Sequence, residues 1–98
     1  MPANGELGFA EIYRQITASD KHAAIKETVT KQVEAVAAEA AKGEQADASK
    51  IEGWLHIIGS MMPDILEVTA NTLLDPLSGI ATVVKKVAEK AKAATGRS

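Results

Sequence analysis

Apolar residues recur at spacings of three and four along most of this chain, and this period constrains the fold more than any other feature. The spacing is that of one face of an α-helix rather than the strict alternation of a β-strand. It is clearest in a segment whose apolar members are Ile25, Val29, Val33, Val36 and Ala40. We therefore predict an all-α protein, a small bundle of about four amphipathic helices, with the first at 9–17 and the second at 20–42.

Both ends of the second helix carry recognisable signals. Ser19 and Asp20 are candidate N-caps, because their side-chain oxygens can accept hydrogen bonds from the free backbone N–H groups of a first turn. Lys42 followed by Gly43 is typical of a helix end. A short polar loop at 43–48 follows.

The third helix has a start signal and an internal break. Ser49 and Glu52 match a capping box, in which the serine reaches forward and the glutamate reaches back to backbone amides. Pro63 has no amide hydrogen and crowds the turn before it, so a helix over 49–74 must kink or restart near residue 63. The apolar face of its first part consists of Ile51, Leu55, Ile58 and Met62.

Asp75 and Pro76 mark the start of a fourth helix, predicted at 76–94. Aspartate is a favoured N-cap, and proline is a favoured first helical residue. The apolar face repeats every three and four residues like the seam of a coiled coil. Its members are Leu77, Ile80, Val84, Val87 and Ala91, and the lysines opposite are Lys85, Lys86, Lys90 and Lys92.

Size and composition suit a single helical domain over 1–98, because 98 residues bury only a modest core. The chain has no cysteine, which excludes disulfides and thiolate metal sites and fits a reducing compartment. The first residues lack the basic start and apolar run of a signal peptide. We therefore expect a cytoplasmic protein.

Residues that could carry catalysis are few and scattered. His22 and His56 are far apart and lack the neighbours that a metal site needs. Asp64 and Glu67 lie three residues apart, which suits acids near a helix start better than a catalytic carboxylate pair. The glycines do not cluster into a phosphate-binding loop. We predict no enzyme activity, no catalytic residue, no metal and no cofactor.

Charge divides the chain into an acidic body and a basic end. Residues 1–84 contain six Lys or Arg and twelve Asp or Glu, a balance of −6, whereas residues 85–98 contain five basic residues and one acidic residue, a balance of +4. An apolar seam backed by lysines can lie on an anionic membrane or dock into a partner's groove. One alternative is therefore a membrane-active hairpin over 53–92 that binds or inserts into anionic membranes, with Lys85, Lys86, Lys90 and Lys92 as its contacts.

A second alternative is a small regulatory protein associated with nucleic acid. It ranks lower, because the basic residues are few and the acidic body would repel phosphate.

The second half of the chain resembles helical segments of bacterial multidomain signalling and conflict proteins, where such helices lie beside effector or regulatory domains. The resemblance rests on the Trp54-Leu55 pair, on the Met-Pro-Asp-Ile sequence at 62–65, and on the Pro-x-x-Gly sequence at 76–79 before a lysine-ended helix. It implies a homotypic assembly or adaptor role, with a membrane-active hairpin as a variant of that role.

The leading hypothesis is a non-enzymatic protein-interaction or self-assembly module, an adaptor in bacterial signalling or defence. Its partner would be a second copy of the chain or another helical protein. Trp54 is the expected anchor, because large aromatic side chains dominate interface energies when they are buried. The predicted interaction residues are Trp54, Leu55, Ile58, Met62, Leu77, Ile80, Val84 and Val87.

Overall fold

The computed structural model describes the backbone of residues 4–75 and 80–95. Within these ranges the chain forms five α-helices and no strand, which confirms the all-α prediction. The helices are α1 (Asn4–Ala18), α2 (Ala23–Ala40), α3 (Ala48–Met61), α4 (Pro63–Leu74) and α5 (Thr82–Thr95), with a 3₁₀ turn at Gly43–Gln45 between α2 and α3.

Helix α3 packs against three other helices, which are α2, α4 and α5. Helices α2 and α5 pack against α3 but have little contact with each other, so they flank it on different sides. Helix α1 packs against α2 and α4, and α4 also packs against α5. The arrangement leaves one long side of α3 facing solvent.

Buried apolar side chains from all five helices form one core cluster. The periodic residues of α2 confirm the sequence pattern, since Val29, Val33 and Val36 are fully buried. The other fully buried large side chains are Ile12, Ile16, Ile51, Leu55, Ile58, Leu66, Leu73 and Val84, with the threonine Thr69 among them.

The junction between α1 and α2 differs from the prediction. Helix α1 is longer than expected, and the Ser19 amide donates to the Ile16 carbonyl, so Ser19 completes the end of α1. Helix α2 begins at Ala23 after His22, which makes no side-chain capping bond. The prediction that Ser19 or Asp20 caps α2 is therefore wrong.

The loop before α3 contains the predicted helix stop and a different cap. Gly43 has a φ of 68°, a left-handed conformation that glycine adopts without steric cost, and it follows the end of α2 as expected. Asp47, rather than Ser49, caps α3, because its Oδ1 accepts the amides of Ser49 at 3.0 Å and Lys50 at 3.3 Å. The capping box of Ser49 and Glu52 is therefore wrong, and Ser49 lies inside the first turn.

Pro63 breaks the predicted third helix in two. Helix α3 ends at Met61, Met62 has φ −141° and ψ 83°, and Pro63 is the first residue of α4. The Met62 carbonyl accepts the amides of Ile65 and Leu66, which starts the new helix without a bond to the proline nitrogen. The break gives five helices where about four were expected.

The last helix begins later than predicted. Residues Ile80 and Ala81 are not helical, and the Ala81 carbonyl accepts the amides of Val84 and Lys85 to start α5. The amide of Asp75 instead donates to the Thr72 carbonyl at the end of α4. The prediction of a continuous helix from residue 76 is therefore wrong at residues 80 and 81. Pro76 and the seam residue Leu77 lie outside the described ranges.

Candidate interaction surface on helix α3

The predicted interaction residues do not form one exposed surface. Four of them, Leu55, Ile58, Met62 and Val84, are at most 5% exposed and lie in the core of the chain itself. Three others are partly buried against that core: Trp54, Ile80 and Val87. A partner that approaches this fold meets the second group and not the first.

Helix α3 carries a second apolar stripe that the sequence analysis missed. The inner seam, which faces the core, consists of Ile51, Leu55, Ile58 and Met62. One residue before each of its last three members lies the outer seam, defined here as Trp54, Ile57 and Met61. Ile57 is 37% exposed and Met61 is 36% exposed, and they are two of the three large apolar side chains that the described structure leaves exposed. Both seams repeat with the same helical period. In the sequence, the outer seam is therefore visible as the pattern of the inner seam shifted by one residue.

The solvent-facing side of α3 is uncharged over more than two turns. No Asp, Glu, Lys or Arg occurs from Gly53 to Met61, and the exposed neighbours of the outer seam are His56 and Ser60. Apart from adjacent residues and the backbone of α3 itself, no heavy atom lies within 4 Å of the position that a Cβ at Gly53 would take. An uncharged and partly apolar face of this kind is typical of an interface rather than of an ordinary wet surface.

A cleft of about 470 Å³ runs along the other side of this face, between α3, α4 and α5. Its walls include small residues such as Gly59 and Ala91, with Leu66 from α4. The Lys90 ammonium pairs with the Glu52 carboxylate at 2.9 Å across it, which joins α5 to α3. The cleft and the outer seam therefore lie on opposite flanks of the solvent-facing side of α3.

Two of the four lysines predicted to touch a membrane bind other helices. Lys90 pairs with Glu52, and the Lys92 ammonium donates to the Asn71 Oδ1 at 2.6 Å. Lys86 is exposed and Lys85 is partly buried. The lysine face therefore holds α5 in place as well as keeping its outer surface charged.

A buried carboxylate fixes the start of α3. Glu39, near the end of α2, is 7% exposed, and its Oε2 accepts the Asp47 amide at 2.8 Å. Its Oε1 accepts from the Lys42 ammonium at 3.0 Å. The Asp47 hydrogen bond and then the lysine hold the pKa of Glu39 below its ordinary value. Because Glu39 accepts the amide of the residue that caps α3, it links the end of α2 to the start of α3.

In the described part of the chain, the possible metal ligands do not form a group. His22 lies at the start of α2 and His56 lies on α3. Over the described ranges, no three histidine, aspartate or glutamate side chains form a group that could hold a metal ion. In the same ranges, no helix combines the length and the apolar character required to cross a bilayer.

The described residues form a small helical module with a partly exposed apolar seam on α3. Residues 7–94 match the model of the family described as ternary complex associated domain 2, and the chain belongs to this family. The description indicates a domain that associates with other proteins in a complex. No curated protein and no solved structure matches the chain.

Proposed function

We propose that this protein is a non-enzymatic adaptor that binds another protein through the solvent-facing side of α3. The observation that carries the proposal is the outer seam, because it exposes apolar side chains on an uncharged helix face in a family described by its association with a complex. Interfaces are enriched in tryptophan and methionine and depleted of charge at their centres, and the outer seam has this composition.

Trp54 is the anchor of the proposed interface. It is the only tryptophan of the chain, and it is partly buried against the core, so its ring is already oriented before a partner arrives. A pre-ordered aromatic side chain loses little conformational entropy on binding. The predicted interaction residues that lie in the core contribute to the proposed interface indirectly, because they hold α3 in position.

The resemblance of the second half to helical segments beside effector or regulatory domains supports a bacterial signalling or defence complex as the setting. Another helical protein is the preferred partner, with self-assembly as the second form of the same hypothesis. No observation on the described residues specifically supports the membrane-active hairpin or nucleic-acid binding. Both stay predictions.

Co-purification with the proteins encoded in neighbouring genes, followed by light scattering, tests the proposal. We expect a complex of defined mass that Trp54→Ala weakens. Tyr13→Ala is a matched control, because Tyr13 is also a partly buried aromatic residue but lies on α1, which does not pack appreciably against α3. A protein that stays monomeric with every candidate partner, or equal loss of binding in both variants, would contradict the proposal.

A further inference from the structure

Building on the proposed function, we infer that Met61 is an oxidation site that regulates the outer seam. A peroxide converts its thioether to the sulfoxide, which weakens partner binding while the fold is kept. Three features support this role: the opposite exposure of two neighbouring methionines, the place of Met61 in the outer seam, and the lack of cysteine in the chain.

Two adjacent methionines at the end of α3 differ sharply in exposure. Met61 is 36% exposed, whereas Met62 is 5% exposed and belongs to the core cluster. The Met62 amide still donates to the Ile58 carbonyl, so the pair follows the helical period, in which neighbouring side chains point about 100° apart. A dissolved oxidant therefore reaches the Met61 side chain directly, and it reaches Met62 only when the core opens locally.

The thioether of methionine is the group that a peroxide oxidises here. The chain has three methionines and no cysteine, so no thiol of the chain competes for the oxidant. A sulfur lone pair attacks one oxygen of hydrogen peroxide, the O–O bond breaks, and an S–O bond forms. The other peroxide oxygen leaves as water with both protons. Methionine loses two electrons and the peroxide gains them, so the reaction needs no further reactant.

Oxidation at Met61 changes the polarity of the outer seam and leaves the core intact. A sulfoxide is polar, whereas the thioether is flexible and apolar. A partner that packs against Trp54, Ile57 and Met61 would take the sulfoxide oxygen away from water, which costs free energy unless a new hydrogen bond forms. The same oxygen on Met62 would lie in the core and destabilise the fold. The exposure of Met61 thus separates control of binding from loss of folding.

The first test needs no partner. The whole chain is treated with increasing concentrations of hydrogen peroxide, and mass spectrometry of fragments that separate residues 61 and 62 shows which methionine has gained oxygen. We expect Met61 to be oxidised at least about tenfold faster than Met62, because exposure controls the rate. Circular dichroism should show unchanged helix content. Equal rates at the two residues, or unfolding that accompanies oxidation of Met61, would overturn the inference.

The second test uses the native complex obtained by co-purification. Oxidation of Met61 should weaken this complex by at least about fivefold, the size of effect expected when a polar group loses its water in an apolar contact. Met61→Gln, which introduces a polar side chain of similar length, should weaken it without an oxidant. Reduction of the sulfoxide by methionine sulfoxide reductases of both stereospecificities, with a dithiol as reductant, should restore binding.

Two leucine variants separate the neighbouring methionines. Met61→Leu has no sulfur at the exposed position, so its affinity should not fall further in peroxide. Met62→Leu is the matched control, because it keeps the exposed methionine and should lose binding on oxidation as the wild type does.

A complex that is unchanged when Met61 is oxidised, or that Met61→Leu does not protect, would refute the regulatory role and leave the adaptor function intact. Failure of the function itself would instead appear as the absence of any native complex before oxidation, and the regulatory role would fall with it.

Discussion

At two glycines, the backbone conformation alone predicts whether substitution by alanine raises or lowers the free energy of unfolding. Apart from adjacent residues and the backbone of the same helix, no heavy atom lies within 4 Å of the position that a Cβ would take at Gly43 or Gly53, so neither substitution by alanine causes a clash with another part of the fold. Gly43 has a φ of 68° in the loop after α2, whereas Gly53 lies inside α3. We expect Gly43→Ala to destabilise the protein and Gly53→Ala to stabilise it.

The magnitudes follow from the two conformations. A left-handed backbone costs an L-residue about 1–2 kcal/mol, and the smaller conformational entropy of alanine in the unfolded chain offsets part of this cost, leaving a loss of about 1 kcal/mol at Gly43. Inside a helix, alanine is more favourable than glycine by about 0.5–1 kcal/mol, which is the expected gain at Gly53. For a domain of this size, 1 kcal/mol corresponds to a change in Tm of about 4–8 °C.

Circular dichroism during thermal and urea unfolding measures both variants against the wild type. A shift in the urea midpoint without a change in slope identifies a true change in the free energy of unfolding. The reasoning is refuted if both variants shift in the same direction, or if Gly53→Ala lowers the Tm. The double variant should lie near the sum of the two shifts, because the two glycines do not share a partner.

Three further predictions concern helix α3 and its supports. Asp47→Ala should lower the free energy of unfolding by about 1 kcal/mol through loss of the cap, while Ser49→Ala should change it little. If urea unfolding shows the larger loss for Ser49→Ala, Ser49 is the cap. Leu55→Ala should lower the free energy of unfolding by about 2–5 kcal/mol because it leaves a cavity in the core, and Ile57→Ala should lower it far less. Similar losses for the two variants would mean that the outer seam is also part of the core. The lowered pKa of Glu39 means that its carboxylate stabilises the fold above the ordinary pKa of 4.5, and that this contribution is lost as pH falls through the lowered pKa of the folded state. Glu39→Gln should therefore be less stable at neutral pH and should lose less stability on acidification below 4.5, as measured by urea midpoints across that range.

Local signals in the sequence account for much of the fold. The period of Val29, Val33 and Val36 predicted α2 and its buried face, because a helix must hide one apolar stripe whatever covers it. Gly43 and Pro63 predicted a helix end and a helix break, since both act through the geometry of their own backbone. These features need no knowledge of distant residues.

The sequence alone did not decide between equivalent local signals. Asp47 and Ser49 are both good caps, and the choice of Asp47 coincides with the hydrogen bond from its amide to Glu39, eight residues earlier. Similarly, Pro76 looked like a helix start, but residues 80 and 81 are not helical and α5 begins at Thr82. Competing caps differ by too little free energy for sequence preference to decide between them.

The sequence by itself determined that this protein is helical and where Gly43 and Pro63 interrupt its helices. Only the tertiary structure decided which of the two apolar stripes of α3 faces inward. Ile51, Leu55 and Ile58 lie under α2, α4 and α5 in the core, while Ile57 and Met61, at the same period and of similar hydrophobicity, face the solvent. Helical periodicity fixes the angle between side chains but not the direction of a neighbouring helix. That direction places one stripe in the core and leaves the other exposed to solvent.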